Sequence, residues 1–304
     1  MRMDNHFLDS FVNRVEKQHL PVDGVMVYKG EDLMAEHRWS PDVPTCIYSH
    51  TKSFMSTAAG IAIDRGLLSL DSYLVDSLKE DLPKQYDARI EKIQLRHLLT
   101  MSSGFGCSLL MMGSFDQPDF KEDYIDFMMR QPMKYNPGEK FWYSNGDSYL
   151  AGLMVARAAQ VNLLDFMMDT FMNALEIPRP QWWTDPRGNY FGASRMMLRT
   201  RDMAQLGILY LNKGVYRGQR LLSESWVDQV STLQIETEHG NRFDCGYTYQ
   251  FWLDPMPGCY RADGAFGQIT HILPDKGCVV SYNCHANDVL PIQEAFYDEI
   301  YMHL

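Results

Sequence analysis

The most constraining feature of this chain is a change of hydrophobic period between its ends and its middle. Val22, Gly24, Val25, Met26, Val27 and Tyr28 read as a strand, Lys29-Gly30 as its turn, and 33–37 as a second short strand. From Thr51 the period turns helical. KSFMSTAAGIAIDRG carries small and apolar residues at i, i+3 and i+4 spacing, and Gly66 stands where such a helix stops. Residues 67–200 stay rich in helix and loop, with IEKIQLRHLLTMSSGF, a helix over 121–130, YLAGLMVARAAQ and LLDFMMDTFMNAL. Helices over 201–211 and 223–232 follow. Short β-rich segments then occupy 247–253, 258–263, 267–273 and 278–284, broken by Pro and Gly. An amphipathic helix over 4–18 opens the chain and another over 291–303 closes it. Strands at both ends with helices between them predict an α/β fold of the α+β type. One antiparallel sheet would be assembled from both chain ends, flanked by helices, with an inserted helical subdomain. Residues 1–66 and 201–304 would form the sheet domain and 67–200 the insertion.

Charge narrows the function classes. The 304 residues carry 28 Lys plus Arg against 39 Asp plus Glu, a formal −11. An acidic chain with no basic run repels phosphates, so nucleic acid is not an expected partner. No stretch reaches the ~18 apolar residues of a membrane span. The start, MRMDNHFLDSFVNRVEKQHL, lacks the apolar run of a signal peptide. Cysteines at 46, 107, 245, 259, 278 and 284 form no CxxC, so a reduced, cytoplasmic protein is expected. No HExxH, His-rich cluster or phosphate loop of G-x-x-x-x-G-K form occurs, which argues against a metal or other cofactor. The 20 methionines, several in pairs such as Met111-Met112, Met128-Met129, Met167-Met168 and Met196-Met197, suit adaptable core packing, with some lining a pocket.

The strongest local signal is Ser49-His50-Thr51-Lys52-Ser53. Ser49 stands where an extended segment meets a helix, and Lys52 lies one turn on, along the same face. A serine hydroxyl needs a base within hydrogen-bond reach, and a lysine serves once desolvation lowers its pKa. Free N–H groups at a helix start suit an oxyanion. The plain alternative makes Ser49 a helix cap and Lys52 a solvated side chain. Asn136-Pro137-Gly138-Glu139 is a turn, and Tyr143-Ser144-Asn145 follows it. Two residues apart on an extended loop, Tyr143 and Asn145 project to one side. Tyr143 would shuttle a proton. Asn145 would donate to a substrate carbonyl and hold Lys52. Trp142, Trp182, Trp183 and Trp252 suit a cleft floor and the core equally. His271, Cys284 and His285 read as packing residues.

These stretches, taken together, resemble the serine β-lactamase and penicillin-binding-protein superfamily. The likeness is closest to its class C branch, which also holds esterases, D-amino-acid peptidases and amide hydrolases. The matching runs are Ser49-His50-Thr51-Lys52, LRHLLTMSSG at 95–104, Tyr143-Ser144-Asn145, RTRDMAQLG at 199–207 and Gly264-Ala265-Phe266-Gly267-Gln268 ahead of Pro274. The resemblance implies that Ser49 is acylated and that Lys52 and Tyr143 share the general base and acid work. Asn145 would orient Lys52 and substrate, and Gly264 would let the backbone pass close to substrate. The N–H groups of Ser49 and Ala265, the latter on the strand flanking the site, would form the oxyanion hole. LRHLLTMSSG would support the cleft with His97 buried, and Arg201-Asp202 would start a helix. The family's third motif, usually Lys-Thr-Gly or His-x-Gly, reads Ala262-Asp263-Gly264 here: the glycine remains and the cation does not. The implied function is a serine hydrolase cleaving an ester, amide or peptide-like bond of a small molecule, with weak or no β-lactamase activity. Its first rival is a catalytically silent, ligand-binding or scaffold relative. Arg261 and Arg195 are the candidates to replace the cation, loops 105–120 and 178–195 would shape the pocket, and the oligomeric state stays open.

Overall fold

The computed structural model describes residues 6–111, 122–238 and 242–304. In chain order the elements are α1 (Asp9–Gln18), β1 (Val22–Lys29), β2 (Asp32–Arg38), β3 (Thr45–Cys46) and α2 (Thr51–Asp64). Then come α3 (Leu74–Ser77), α4 (Leu95–Leu99), α5 (Tyr124–Met129), α6 (Asn145–Ala159), α7 (Leu163–Met167), β4 (Met197–Leu198) and α8 (Thr200–Leu211). The chain closes with β5 (Val215–Tyr216), β6 (Gln219–Arg220), α9 (Glu224–Val230), β7 (Trp252–Leu253), β8 (Tyr260–Gly264), β9 (Gln268–Leu273), β10 (Cys278–Cys284) and α10 (Leu290–Glu299).

The sheet is the expected one. Its order is β2-β1-β10-β9-β8-β7, every neighbouring pair antiparallel, so the N-terminal hairpin docks onto the C-terminal meander through β1 and β10. Val27 lies opposite Val280 in that junction. Successive residues face opposite sides of a strand, and here both sides are buried. Val25, Val27, Ile269, Leu273, Val280 and Tyr282 pack with Phe11 and Val15 of α1 and Ile292 and Phe296 of α10. Met26, Tyr28, Tyr260, Ala262, Ile272 and Val279 pack on the other side with residues of α2, α6 and α8. That double burial explains why all seven residues of β10 and all six of β9 are buried instead of alternating.

Helix α2 is buried on every side from Thr51 to Ala62, which its small and apolar composition permits. It stops at the expected residue. Gly66 takes φ +70°, and the N–H groups of Gly66 and Leu67 return to the carbonyls of Ile63 and Ala62.

Several boundaries differ from the sequence expectation. The 247–253 segment is strand only at Trp252–Leu253; Tyr247 makes single bridges to Ile235 and Trp252. IEKIQLRHLLTMSSGF is a 3₁₀ turn (Ala88–Lys92) and the five-residue α4, the rest being loop spent on backbone bonds to its neighbours. LLDFMMDTFMNAL leaves α-helix after Met167 for a π turn over Met168–Met172. The 121–130 helix is α5; residues 112–120 of the 105–120 loop, residue 121 of that helix and residues 4 and 5 of the 4–18 helix lie outside the described residues. Among the described residues, no single helix is long and apolar enough to cross a membrane.

Candidate active site

The Ser49 turn is held between two distant strands. Thr45 and Cys46 pair with Leu198 and Met197, and the Ile47 N–H donates to the Met196 carbonyl at 3.0 Å. The chain then enters a 3₁₀ turn, Tyr48–His50, that runs straight into α2. Tyr48 is held at φ +45°, a left-handed conformation that costs a tyrosine on the order of 1 kcal/mol or more. Its ring meets Phe266 edge-on at 4.9 Å. Neither the 3₁₀ turn nor α2 has a side-chain cap, so Ser49 is not serving as one. His50, beside it, is no base for the serine: burial pushes its pKa down to about 3, and its Nε2 is 2.9 Å from Thr270 Oγ1.

Lys52 is 1% exposed. Its ammonium group donates to Ser49 Oγ at 3.1 Å, to Asn145 Oδ1 at 2.6 Å and to the Ala193 carbonyl at 2.8 Å. Three donors therefore meet three acceptors, none of them a carboxylate. With no formal negative partner, burial prevails and pushes the Lys52 pKa from 10.5 down to about 7. Asn145 opens α6, and its Nδ2 donates to the Leu110 carbonyl at 2.9 Å, which turns Oδ1 toward the lysine.

Tyr143 approaches from the preceding loop. That loop is laced to the 95–110 segment: Gly138 N–H to Ser102 O at 2.8 Å, Trp142 N–H to Met101 O at 2.7 Å, and Ser108 Oγ to Tyr143 O at 2.9 Å. Tyr143 lines the cleft beside Ser49, and its ring lies 5.0 Å from Lys52 Nζ. Burial raises its pKa well above the ordinary phenol value, so the proton stays on the oxygen at neutral pH.

Strand β8 closes the site. A Cβ on Gly264 would sit 2.3 Å from the Ile47 carbonyl oxygen and 3.1 Å from the His50 nitrogen, so only glycine lets the strand run this close to the Ser49 turn. Ala265 comes one residue after the strand's end, in the turn to β9 and not on the strand itself. A cleft of about 370 Å³ is lined by Tyr48, Ser49, Met111, Tyr143, Asn145, Ser194, Asp244, Trp252, Asp263 and Ala265. All of the expected site residues but Lys52 and Gly264 line it, and those two sit directly behind Ser49.

The comparisons with known proteins follow this geometry. The Beta-lactamase family model matches residues 8–303. The chain belongs to the beta-lactamase family. Its fold is that of an octameric penicillin-binding protein homologue from Pyrococcus abyssi, with a TM-score of 0.78 at 19% identity over 98% of this chain and 76% of that one. It is 22% identical to the 6-aminohexanoate-dimer hydrolase of Paenarthrobacter ureafaciens over 267 residues, 76% of this chain and 64% of that protein. It is also 22% identical to protein flp of Staphylococcus aureus strain MW2 over 178 residues, 54% of this chain. That match spans only 35% of the flp protein's length.

Among the described residues, no cation stands in the cleft where the third motif would place one. Ala262 is buried toward α2 and α8, and Asp263 faces the cleft. Arg261 does not replace the cation: it is 1% exposed and held by Asp244, Asp254 and Asp263. Arg195 lies over the Trp183 ring at 4.7 Å and is not among the residues lining the cleft.

Of the tryptophans, Trp252 lines the cleft, stacked on Tyr143 at 6.0 Å, whereas Trp142 and Trp183 are exposed on the surface. His97 is half-buried, and its Nδ1 accepts from the Gln94 N–H at the start of α4. Arg201 and Asp202 stand in the first turn of α8 as expected, and Arg199 just before it pairs with Asp202 at 2.7 Å. His271 is a core residue between Asp254 and Tyr282, while His285 is largely exposed beside Asp23. Sequence reasoning missed Ala193, which supplies only a carbonyl, and Asp244. It also missed Asp147, buried with its carboxylate on Ser103 and its pKa pushed up to about 7 by desolvation. A backbone acceptor such as the Ala193 carbonyl carries no residue-type signal, and Asp244 lies far from every motif in the chain.

Proposed function

We propose that this chain is a serine hydrolase that forms an acyl-enzyme on Ser49 and cleaves an ester, amide or peptide-like bond of a small substrate. The observation that carries this reading is Lys52, buried without a carboxylate partner and 3.1 Å from the Ser49 hydroxyl. With a pKa of about 7, roughly half of the Lys52 side chains are neutral bases at neutral pH. Ser49 Oγ attacks the carbonyl carbon and its proton passes to Lys52 Nζ. The oxyanion that forms is met by the N–H groups of Ser49 and Ala265. Tyr143, a phenol at this pH, gives its proton to the leaving oxygen or nitrogen and recovers one from Lys52. Water then attacks the acyl carbonyl by the same route in reverse, releasing the acid and returning the proton to Ser49.

Ser53 and Ser144 are poor rivals for the nucleophile. Ser53 Oγ donates to the Gln250 carbonyl at 2.9 Å, and Ser144 Oγ accepts from the Leu109 N–H at 3.2 Å. The missing third-motif cation favours a second reading, a ligand-binding relative without turnover. Intact-mass labelling with a neutral fluorophosphonate separates the two. The expected result is one adduct per chain, mapped to Ser49 and absent from Ser49→Ala. No adduct, or an adduct that persists in the variant, overturns the hydrolase reading.

A further inference from the structure

The start of α6 rests on the 101–110 segment through a run of hydrogen bonds. Ser144 Oγ accepts from the Leu109 N–H at 3.2 Å, Asn145 Nδ2 donates to the Leu110 carbonyl at 2.9 Å, and the Gly146 N–H donates to the Leu109 carbonyl at 3.1 Å. Asp147 completes the run. Its Oδ1 accepts from Ser103 Oγ at 2.8 Å and its Oδ2 from the Ser103 N–H at 3.2 Å. The acyl-transfer steps give Asp147 no task, yet the chain buries this carboxylate completely. A buried carboxylate held by neutral donors alone is costly to keep ionised.

Its surroundings supply no counter-charge. Among the described residues no ion pair reaches Asp147. Lys52 of α2 spends its donors on Ser49, Asn145 and Ala193, Lys134 donates to the Gly106 carbonyl at 3.0 Å, and His97 of α4 takes the Gln94 N–H. Cys107 and Tyr247 feel the charge, but burial raises the pKa of each, so both stay neutral at neutral pH. The segment that Asp147 grips is strained as well. Met101 at φ +56° and Leu110 at φ +53° hold left-handed conformations that are unfavourable for any residue but glycine. Leu110 turns Asn145 toward Lys52, and the carbonyls of Met101 and Ser102 anchor the Tyr143 loop. A carboxylate that grips Ser103 therefore opposes relaxation of the segment on which both catalytic arms rest.

We propose that Asp147 is a positioning residue: its ionised carboxylate, acting through Ser103, clamps the strained 101–110 segment to the start of α6 and so sets Asn145 and the Tyr143 loop at Ser49. The proposal rests on the acyl-enzyme reading of Ser49 and adds a second, acid-sensitive control to it. Desolvation outweighs the two Ser103 hydrogen bonds and pushes the Asp147 pKa up to about 7. Above that pH the carboxylate accepts two charge-assisted hydrogen bonds. Below it the group is a neutral acid whose hydrogen bonds are roughly half as strong, and the clamp slackens. Acid therefore acts twice, by protonating Lys52 and by loosening the segment that orients its partners.

The test is the pH profile of kcat/KM for a neutral p-nitrophenyl ester, measured on wild type and Asp147→Asn. Asn has the shape of the protonated acid and never ionises. Wild type should exceed the variant by about tenfold at about pH 8.5, where the clamp is charged only in wild type. The ratio should fall toward one at about pH 5.5, because wild type then carries a neutral group too. A ratio that stays constant with pH, or lies near one throughout, overturns the clamp. Ser103→Ala keeps the carboxylate but removes one of its donors, and it decides the matter if Asp147→Asn does not fold. Its acid limb should move upward by roughly half a pH unit or more, and an unmoved limb overturns the clamp as well. Fluorophosphonate labelling of wild-type Ser49 runs alongside. Labelling with a constant ratio sinks the clamp alone, whereas absence of labelling sinks the hydrolase reading beneath it.

Discussion

Lys52→Met tests the central electrostatic argument twice in one protein. Lys52 is buried among neutral acceptors, and its pKa falls from 10.5 to about 7. An ordinary lysine is neutral in about one molecule in 3,000 at pH 7, whereas here about half are. Burial therefore raises the supply of base by roughly a thousandfold, and stability bears the cost. Below pH 7 folding buries a full charge. Between pH 7 and 10.5 the unfolded chain holds a proton that the folded chain has shed, so stability rises with pH through that window. The gap corresponds to roughly 5 kcal/mol. Met removes this term but leaves Asn145 Oδ1 and the Ala193 carbonyl without their donor, at about 1–3 kcal/mol each. At pH 7 the two effects nearly cancel. Urea unfolding of both proteins from pH 6.5 to 10 should show the wild type gaining on Lys52→Met by about 1.4 kcal/mol per pH unit. Esterase kcat/KM of the wild type should climb through pH 7, and the variant should lose on the order of 10²-fold or more. Parallel stability curves would mean that Lys52 keeps its proton throughout, and the base assignment would fall with them.

Tyr143→Phe should also cost on the order of 10²-fold in kcat/KM, and combining it with Lys52→Met should add little, because the two move one proton; fully additive losses would assign one of them to substrate positioning alone. Gly264→Ala places a methyl group 2.3 Å from the Ile47 carbonyl. It should destabilise the fold by about 1–3 kcal/mol and slow fluorophosphonate labelling at least tenfold; thermal melts and labelling rates at matched pH check both, and a variant like wild type would show that β8 does not press on the Ser49 turn.

The pieces of the site were legible because each is a short run with local geometry. Lys52 falls one helical turn from Ser49, and Tyr143 and Asn145 both reach the cleft although Asn145 already begins a helix. The strands of β9 and β10 were legible as short β-rich segments set off by Pro and Gly. The 247–253 segment was misread because Tyr247 and Phe251 are apolar for the core, not for a ladder. The 90–105 segment was misread because its helical pattern is outweighed by backbone bonds to the Tyr143 loop.

By itself the sequence determined which groups are chemically able to act and that the two chain ends must share a sheet. Hydrophobic period and residue type are local properties, and both survive in a linear string. What only the tertiary structure decided is the state of those groups. Whether Lys52 is a solvated cation or a buried base depends on residues 93 and 141 positions away, Asn145 and Ala193, that cover it without neutralising it. Whether Arg261 faces a substrate or a carboxylate cage depends on Asp244 and Asp254 arriving from another segment. Burial and charge pairing sum over neighbours in space, and those neighbours come from parts of the chain that no local pattern connects.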